Sequence, residues 1–490
     1  MTLPPSPRRA RAAAAAAIGA ASVGTLALAA CNTDRVSALN GPVLSAFQPI
    51  ASRDQVQQLA SGVLNGDRAN YGTQLVFFSI VGRDLYRIDA SEPRWTTVLL
   101  DQIIPDNSTG FGGGLWTTPY QTINAGNFLI RGSATTGVLN AQEKAATLGF
   151  AQTMKALEYV SLIRSRDTVG IAIQAVQDST VPIRCKPAAL AYISALLDSG
   201  STALAAAGAT PFPFALPPGF AGFTAPNAAA GGTSFRQFNR ALKAIVEMYR
   251  GFIPLESASN ALTAPDVTHM TAALANFDSS FYNAAPSAAS LATGVYYAFS
   301  TASGETTNPL TNPSVFRANP KIVAGAEPGD PRVAAKVDTS GAAGAISIPA
   351  QKDTVTSRYG VLYPRSASDP LALLKNSELV LSRAQVLWTL GRDPEALALV
   401  NAVRQANGLP ARSMASFTDR VDFLVNGILH EKRYELLFES PTSWVDFRDM
   451  GILARIGIEL PNSGGKLPFP FFPIPNAEVT ARNGNVACQP

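Results

Sequence analysis

Near the C-terminal end of this chain, two helical runs are divided by a turn too short for anything but an antiparallel return. Across 375–390, Val380, Ala384 and Leu387 recur at i, i+4 and i+7, which is one face of a 3.6-residue helix. Gly391 ends that run, because glycine enters the left-handed conformation of a helix terminus without a steric penalty. Asp393 suits an N-cap and Pro394 the first helical position, where its missing N–H is no loss. The second run carries Ala396, Val400 and Val403 at the same spacing and stops at Gly408. Two amphipathic helices so joined must fold back on each other, since neither buries its apolar stripe alone. A third helix is predicted over 418–439, with Val421, Leu424 and Ile428 facing inward.

The same period recurs upstream. Helices are predicted over 55–65, 116–129, 141–163, 187–197 and 235–249. In the second of these, Trp116, Tyr120, Ile123 and Asn127 share a face, and Pro119 is tolerated only in the first turn. Between the helices lie stretches that cannot continue them. Residues 83–114 are rich in turn formers, with Pro93, Pro105 and the Gly112-Gly113-Gly114 run. The composition shifts to Ala, Gly, Pro and Phe over about 200–232, and the prolines of 211–223 deny a regular helix its donors. Residues 294–300 are β-leaning, and 300–369 reads as a long irregular insertion with short strands. The fold class is therefore mostly α: a tetratricopeptide-like helical scaffold with long irregular loop insertions and a few short strands.

The N-terminus has a different logic. Arg8, Arg9 and Arg11 precede an Ala-rich apolar run that ends Leu28-Ala29-Ala30-Cys31, the layout of a signal peptide closing on a lipobox. A thiol at that position can accept a diacylglyceryl group, and two or more acyl chains anchor a protein stably. The alternatives are an ordinary signal peptide with a chance cysteine, or a short N-terminal membrane helix. The expected division is a signal peptide over 1–30, a lipid-anchored tether over 31–45 from Cys31, and a binding domain over 46–490. The formal charge of +4 includes the three arginines of the leader; without them 36 basic residues face 35 acidic ones. A near-neutral chain offers no electrostatic footprint for nucleic acid.

Catalytic chemistry finds little support. Glu431, Glu435 and Glu439 lie along one predicted helical face, whereas glycoside hydrolysis needs two carboxyls opposed across a substrate. With Lys432, Arg433 and Arg448 nearby, a structural salt-bridge set is the expected role. No Gly-x-Ser-x-Gly elbow accompanies His430, His269 has no partner in view, and no Gly-Lys-Ser/Thr loop cradles a phosphate. The two histidines and the thiols of Cys185 and Cys488 lack metal-ligand spacing, so no metal or other cofactor is expected. In an oxidising compartment Cys185 and Cys488 are free to form a disulfide, but spacing alone does not show that they meet.

Several stretches resemble the SusD/RagB family of outer-membrane nutrient-binding lipoproteins. These are Trp116-x3-Tyr120-x2-Ile123-x3-Asn127, the helix of 144–163, and the run from Glu378 to Gly391. The most specific is Glu431-Lys-Arg-Tyr-Glu-Leu-Leu-Phe-Glu439 followed by Trp444-Val-Asp446-Phe-Arg448, with the closing Phe472-Pro-Ile-Pro-Asn-Ala-Glu478. One departure is Ser440-Pro441-Thr442-Ser443, where the family usually has Gly and a basic residue. Another is the Phe- and Pro-rich insert at 211–223. The resemblance implies a non-enzymatic lipoprotein, anchored in the outer membrane and facing the cell exterior. Such a protein captures oligosaccharide, or peptide as in a RagB-like variant, and hands it to a SusC-like TonB-dependent transporter. A generic repeat scaffold for protein–protein contacts is the reading from another class.

Sugars bind where an aromatic ring meets planar amide, carboxylate or guanidinium groups. Two loop sets supply these types: Arg83, Asp84, Tyr86, Trp95 and Asn107 in one, Tyr282 and Tyr296 in the other. A third loop, 212–223, is aromatic but poor in polar side chains. Trp116, Trp388 and Trp444 lie inside the recurring patterns and are expected in the core.

Overall fold

The computed structural model describes residues 50–490 apart from 101–104, 106, 108–110, 174–180, 229–231, 286, 351–352, 458 and 460–466. The expected leader, Cys31 and the tether lie outside the described residues.

Six long helices build the first half by packing in sequence order, each against the next. They are α1 (Arg53–Val81), α2 (Gly114–Thr135), α3 (Ala141–Arg166), α4 (Lys186–Ala207), α5 (Phe235–Ser257) and α6 (Val267–Asp278). Their starts are chemically marked. The Ser52 side chain accepts from the Gln55 N–H, and reciprocal capping boxes join Asn140 with Glu143 and Ser234 with Gln237. α1 extends sixteen residues beyond the predicted 55–65 helix, because nearly every side chain from Leu75 to Val81 is buried and the run shows no amphipathic period. α4 likewise continues through 200–207, a part of the segment expected to be irregular. It is apolar and long enough to cross a membrane by composition, yet Leu190, Ile193, Leu197 and Leu204 are buried in the domain. Gly149 lets α3 and α4 approach: a Cβ there would stand 2.5 Å from Leu204 Cγ and 2.9 Å from the Gly200 carbonyl.

The predicted hairpin is α7 (Asn376–Thr389) and α8 (Asp393–Ala406), with Gly391 at φ +73° between them. Asp393 is not the N-cap. Arg392 holds that position, and Asp393 is the first helical residue, with its carboxylate 2.8 Å from Arg420. The predicted 418–439 helix is broken into Arg420–Asp422, a π-helical stretch Phe423–Leu429, and α9 (His430–Glu435). Gly427 sits in the π stretch, where a Cβ would lie 2.7 Å from the Phe423 ring and 3.0 Å from that of Phe417. α10 (Ser443–Asp449) follows.

Short strands tie the 300–369 region to the helices. β1 (Leu85–Arg87) pairs antiparallel with β3 (Phe316–Ala318), and β2 (Gly294–Tyr297) with β4 (Leu371–Lys375), the latter with a bulge between Ala372 and Leu374. A hairpin of Ile346–Ala350 with Asp353–Ser357 projects from the same region. The phenylalanines of 212–223 anchor their loop: Phe212, Phe214, Phe220 and Phe223 are buried, with rings against Phe150, Phe235, Phe238 and Phe281. Trp116, Trp388 and Trp444 are core residues, as expected. At the C-terminus, Gln489 exchanges backbone hydrogen bonds with Ile183 and Cys185, and Cys185 and Cys488 form a disulfide.

Candidate functional site

One face of α1 forms the floor of a cavity of about 560 Å³. Arg68, Gly72, Thr73, Val76 and Phe77 project from it at i, i+4, i+5, i+8 and i+9, a single helical stripe. β1 contributes Arg87, the short helix Arg94–Thr97 contributes Trp95, and the chain from 299 to 316 closes the far wall with Phe299, Thr306, Thr307, Pro309, Asn312 and Phe316. Gly72 allows that wall to sit close, since a Cβ would stand 3.3 Å from the Pro309 ring.

Each charged group is positioned by a specific contact. The Arg87 guanidinium lies 4.4 Å from the centre of the Trp95 ring and 5.7 Å from that of Phe316, within cation–π range. Its charge is shared with Asp89 at 3.1 Å. Arg68 donates to the Ala298 carbonyl at 2.8 Å, lies 3.5 Å from Glu305 and 5.9 Å from the Phe299 ring centre. Trp95 packs on Phe77 and Phe111 at 4.7 and 5.0 Å and is only 8% exposed. Little of the ring is therefore open to the cavity, and among the described residues its indole N–H has no hydrogen-bond partner. Aromatic carbon, guanidinium, hydroxyl and one carboxamide thus converge on one concave space, the mixture that recognises a polyhydroxylated ring.

The sequence-predicted residues divide around this cavity. Trp95 lines it; the other six do not. Arg83 is buried with φ +62°, donates to the Leu99 carbonyl at 3.2 Å and faces Glu459 at 3.9 Å; burial lowers its pKa to about 10. Asp84 is buried against Arg433 at 2.6 Å. The Tyr86 hydroxyl donates to Glu459 at 2.9 Å. Asn107 donates to the Ile474 carbonyl at 2.9 Å and borders a crevice of about 10 Å³, room for no more than one water. Tyr282 is covered by the Arg383 guanidinium at 4.8 Å. Tyr296 lines a separate, mostly apolar cavity of about 580 Å³ with Phe223 and Pro370. Of the β1 residues, Arg87 lines this cavity and Tyr86 does not. In a strand neighbouring side chains point to opposite faces, so Tyr86 turns inward and Arg87 outward.

The carboxylates that invited catalytic readings are all neutralised. Glu431 meets Arg332 at 2.7 Å and Arg404 at 2.5 Å, and Glu439 meets Lys336 at 2.6 Å and Lys375 at 2.7 Å. Glu435 lies 3.7 Å from Lys375. The set is structural, as expected, but its partners are not Lys432, Arg433 and Arg448. Those turn instead to Asp446, Asp84 and Asp449. Asp167, Glu256 and Asp449 cluster closely enough to suggest a metal site, yet Lys186 already occupies its centre, 2.6 Å from Asp167 and 3.0 Å from Asp449. His430 is half-buried, and its desolvation drops its pKa to about 4, while His269 finds a partner in Glu247 at 2.8 Å.

The fold is similar to that of solved structures of SusD superfamily proteins. Solved structures with this fold include NanU from B. fragilis, at 14% identity over 90% of this chain and 96% of that one, with a TM-score of 0.61. Surface glycan-binding protein A from Bacteroides uniformis aligns at 13% identity over 89% and 100%, also with a TM-score of 0.61. A laminarin-binding SusD-like protein aligns at 16% identity over 87% and 97%, with a TM-score of 0.58. No protein-family profile matches the sequence, and no curated protein matches it either.

Proposed function

We propose that this chain is a SusD-type lipoprotein that captures an oligosaccharide in the Trp95 cavity and passes it, chemically unchanged, to a SusC-like TonB-dependent transporter. The observation that carries the reading is the cavity itself, where Trp95, Phe299 and Phe316 meet Arg68, Arg87, Asn312 and threonine hydroxyls. The fold supports it, because two of its structural neighbours are described as glycan-binding and laminarin-binding. The lipobox at Cys31 supports attachment to the outer membrane, with the stretch to residue 45 as a tether beside the transporter.

The test is calorimetric titration of the full-length lipoprotein in detergent against laminarin, other neutral oligosaccharides and a peptide panel. Trp95→Ala is expected to weaken glycan binding by about tenfold or more, the usual cost of truncating an aromatic anchor. Trp95→Phe keeps the packing on Phe77 and should lose less. Binding of peptides alone would replace this reading with peptide capture, and binding of neither would refute it. Affinity capture of the native lipoprotein should recover an outer-membrane β-barrel, and its repeated absence would refute the transport role.

A further inference from the structure

A second cavity, of about 520 Å³, opens where α4, α5 and α6 meet, and its lining differs in kind from that of the Trp95 cavity. Two guanidinia one helical turn apart on α5, Arg236 and Arg240, reach it, with the carboxamides of Asn227, Gln237 and Asn276 and the hydroxyl of Ser201. Among the described residues, neither an aromatic ring nor a carboxylate lines it. The two arginines are prepared differently. Arg240 is spoken for: it pairs with Asp198 at 2.9 Å and donates to the Leu197 carbonyl and Asn239 at 2.6 Å each. Arg236 is half-buried, and among the described residues its guanidinium is held at one point, Nε donating to Ser201 Oγ at 3.0 Å. Among the described residues no carboxylate lies within ion-pair distance of it, and the neighbouring stretch 229–231 is Ala-Ala-Gly. Burial first, and Arg236 nearby as a smaller contribution, push the Arg240 pKa down despite its partner Asp198.

This is not a helix-end effect. The amides at the start of α5 are already used: Phe235 and Arg236 donate to the Ala225 and Pro226 carbonyls, and Gln237 is engaged in the capping box with Ser234. What remains is a guanidinium fork with free donors, held in place and surrounded by amide and hydroxyl groups. A fork pairs in bidentate fashion with a carboxylate or sulfate, and the surrounding groups match ring hydroxyls. The volume lies within the range of about 300–1,000 Å³ typical of small-ligand pockets. A nucleobase or an apolar peptide side chain would find no aromatic or aliphatic wall here.

We infer that the Arg236 cavity is a second binding site, separate from the Trp95 cavity, for a saccharide unit that carries a carboxylate or sulfate group. The site takes the charged unit, and the Trp95 cavity takes neutral ones. A ligand with both kinds of unit gains from two points of attachment wherever it spans them.

The test uses the full-length lipoprotein carrying Trp95→Ala, so that the first cavity does not contribute. It is titrated at low salt with trigalacturonate, the methyl-esterified neutral trimer, a sulfated trisaccharide and inorganic sulfate. Trigalacturonate or the sulfated trisaccharide should bind, and the responding one identifies the anion. Adding Arg236→Gln should weaken that binding by about 10- to 100-fold, the loss expected for hydrogen bonds to a charged group. Arg236→Lys should fall between, since it keeps the charge but not the fork. An unchanged melting temperature shows that Arg236→Gln leaves the fold intact, as its one contact to Ser201 implies. Equal binding of the neutral trimer, indifference to Arg236→Gln, or inorganic sulfate binding as tightly as the saccharides would each overturn the inference. Because Trp95 is already absent, failure of the Trp95 reading leaves this outcome unaffected.

Discussion

Asp67→Asn is expected to reduce the loss of stability that this protein suffers between acid and mildly alkaline pH. Asp67 on α1 and Glu158 on α3 are both buried, 2% and 0% exposed, and hydrogen-bond to each other. The Tyr297 hydroxyl donates to Asp67 at 2.8 Å, and Asn70 donates to Glu158 at 2.7 Å. Among the described residues no cation lies within ion-pair distance of either carboxyl. Burial therefore dominates. It lifts the Asp67 pKa to about 7 against the hydrogen bonds that would lower it, and raises that of Glu158 well above the ordinary carboxylate range, with Asp67 itself adding to the effect. The folded state holds protons that the unfolded chain releases near pH 4, so stability is greatest below the unfolded pKa and falls as pH rises toward 7. For Asp67, two pH units between 5 and 7 correspond to about 3 kcal/mol at 1.36 kcal/mol per unit. In a domain of this size that is roughly 3 °C in melting temperature. Differential scanning calorimetry of wild type and Asp67→Asn at pH 5 and pH 8 checks the figure. The variant should melt relatively higher at pH 8 than at pH 5, and Asp67→Asn/Glu158→Gln should flatten the profile further. A wild-type-to-variant gap that is the same at both pH values would refute the argument.

The remaining predictions concern the ion-pair set and the disulfide. Burial raises the Glu439 pKa, but Lys336 and Lys375 together overcome it and hold the carboxyl at about 2. Its stabilising contribution is thus present above the ordinary carboxylate pKa and lost as pH falls from about 4.5 toward 2. Glu439→Gln should cost about 3–5 kcal/mol at pH 7, since it strands two buried ammonium groups, and calorimetry should show the gap to wild type closing below pH 4. The Cys185–Cys488 bridge closes a loop across 303 positions of sequence. Reductant should lower the wild-type melting temperature by the equivalent of about 2–4 kcal/mol. It should leave Cys185→Ser/Cys488→Ser unmoved, and a wild type indifferent to reductant would refute the role of the bridge.

The legible parts of this protein were those in which a dozen neighbouring residues state a preference by themselves. The α7–α8 hairpin, the helix from 141 and the buried Trp388 and Trp444 all follow from local period and local chemistry. Errors arose where that locality failed. The stretch 75–81 is apolar on every side, so α1 seemed shorter than it is, and the parity of β1, which puts Arg87 and not Tyr86 at the Trp95 cavity, is set by packing. The partners of Glu431 and Glu439 come from Arg332, Lys336, Lys375 and Arg404, far along the chain, while the adjacent cations serve other carboxylates.

By itself, then, the amino-acid order determined a helical array with irregular insertions and carboxylates suited to structure more than to catalysis. Tertiary structure alone decided which aromatic and basic side chains share a cavity. The Trp95 cavity draws on α1, β1, a four-residue helix and the 299–316 segment; the Arg236 cavity draws on α4, α5, α6 and the loop before α5. It also decided that Cys185 meets Cys488 and that Asp67 meets Glu158. The physical reason is the range of the forces involved. Helical periodicity and capping are settled within a turn or two, whereas convergence of loops depends on how long helices pack and which buried groups find partners across the core.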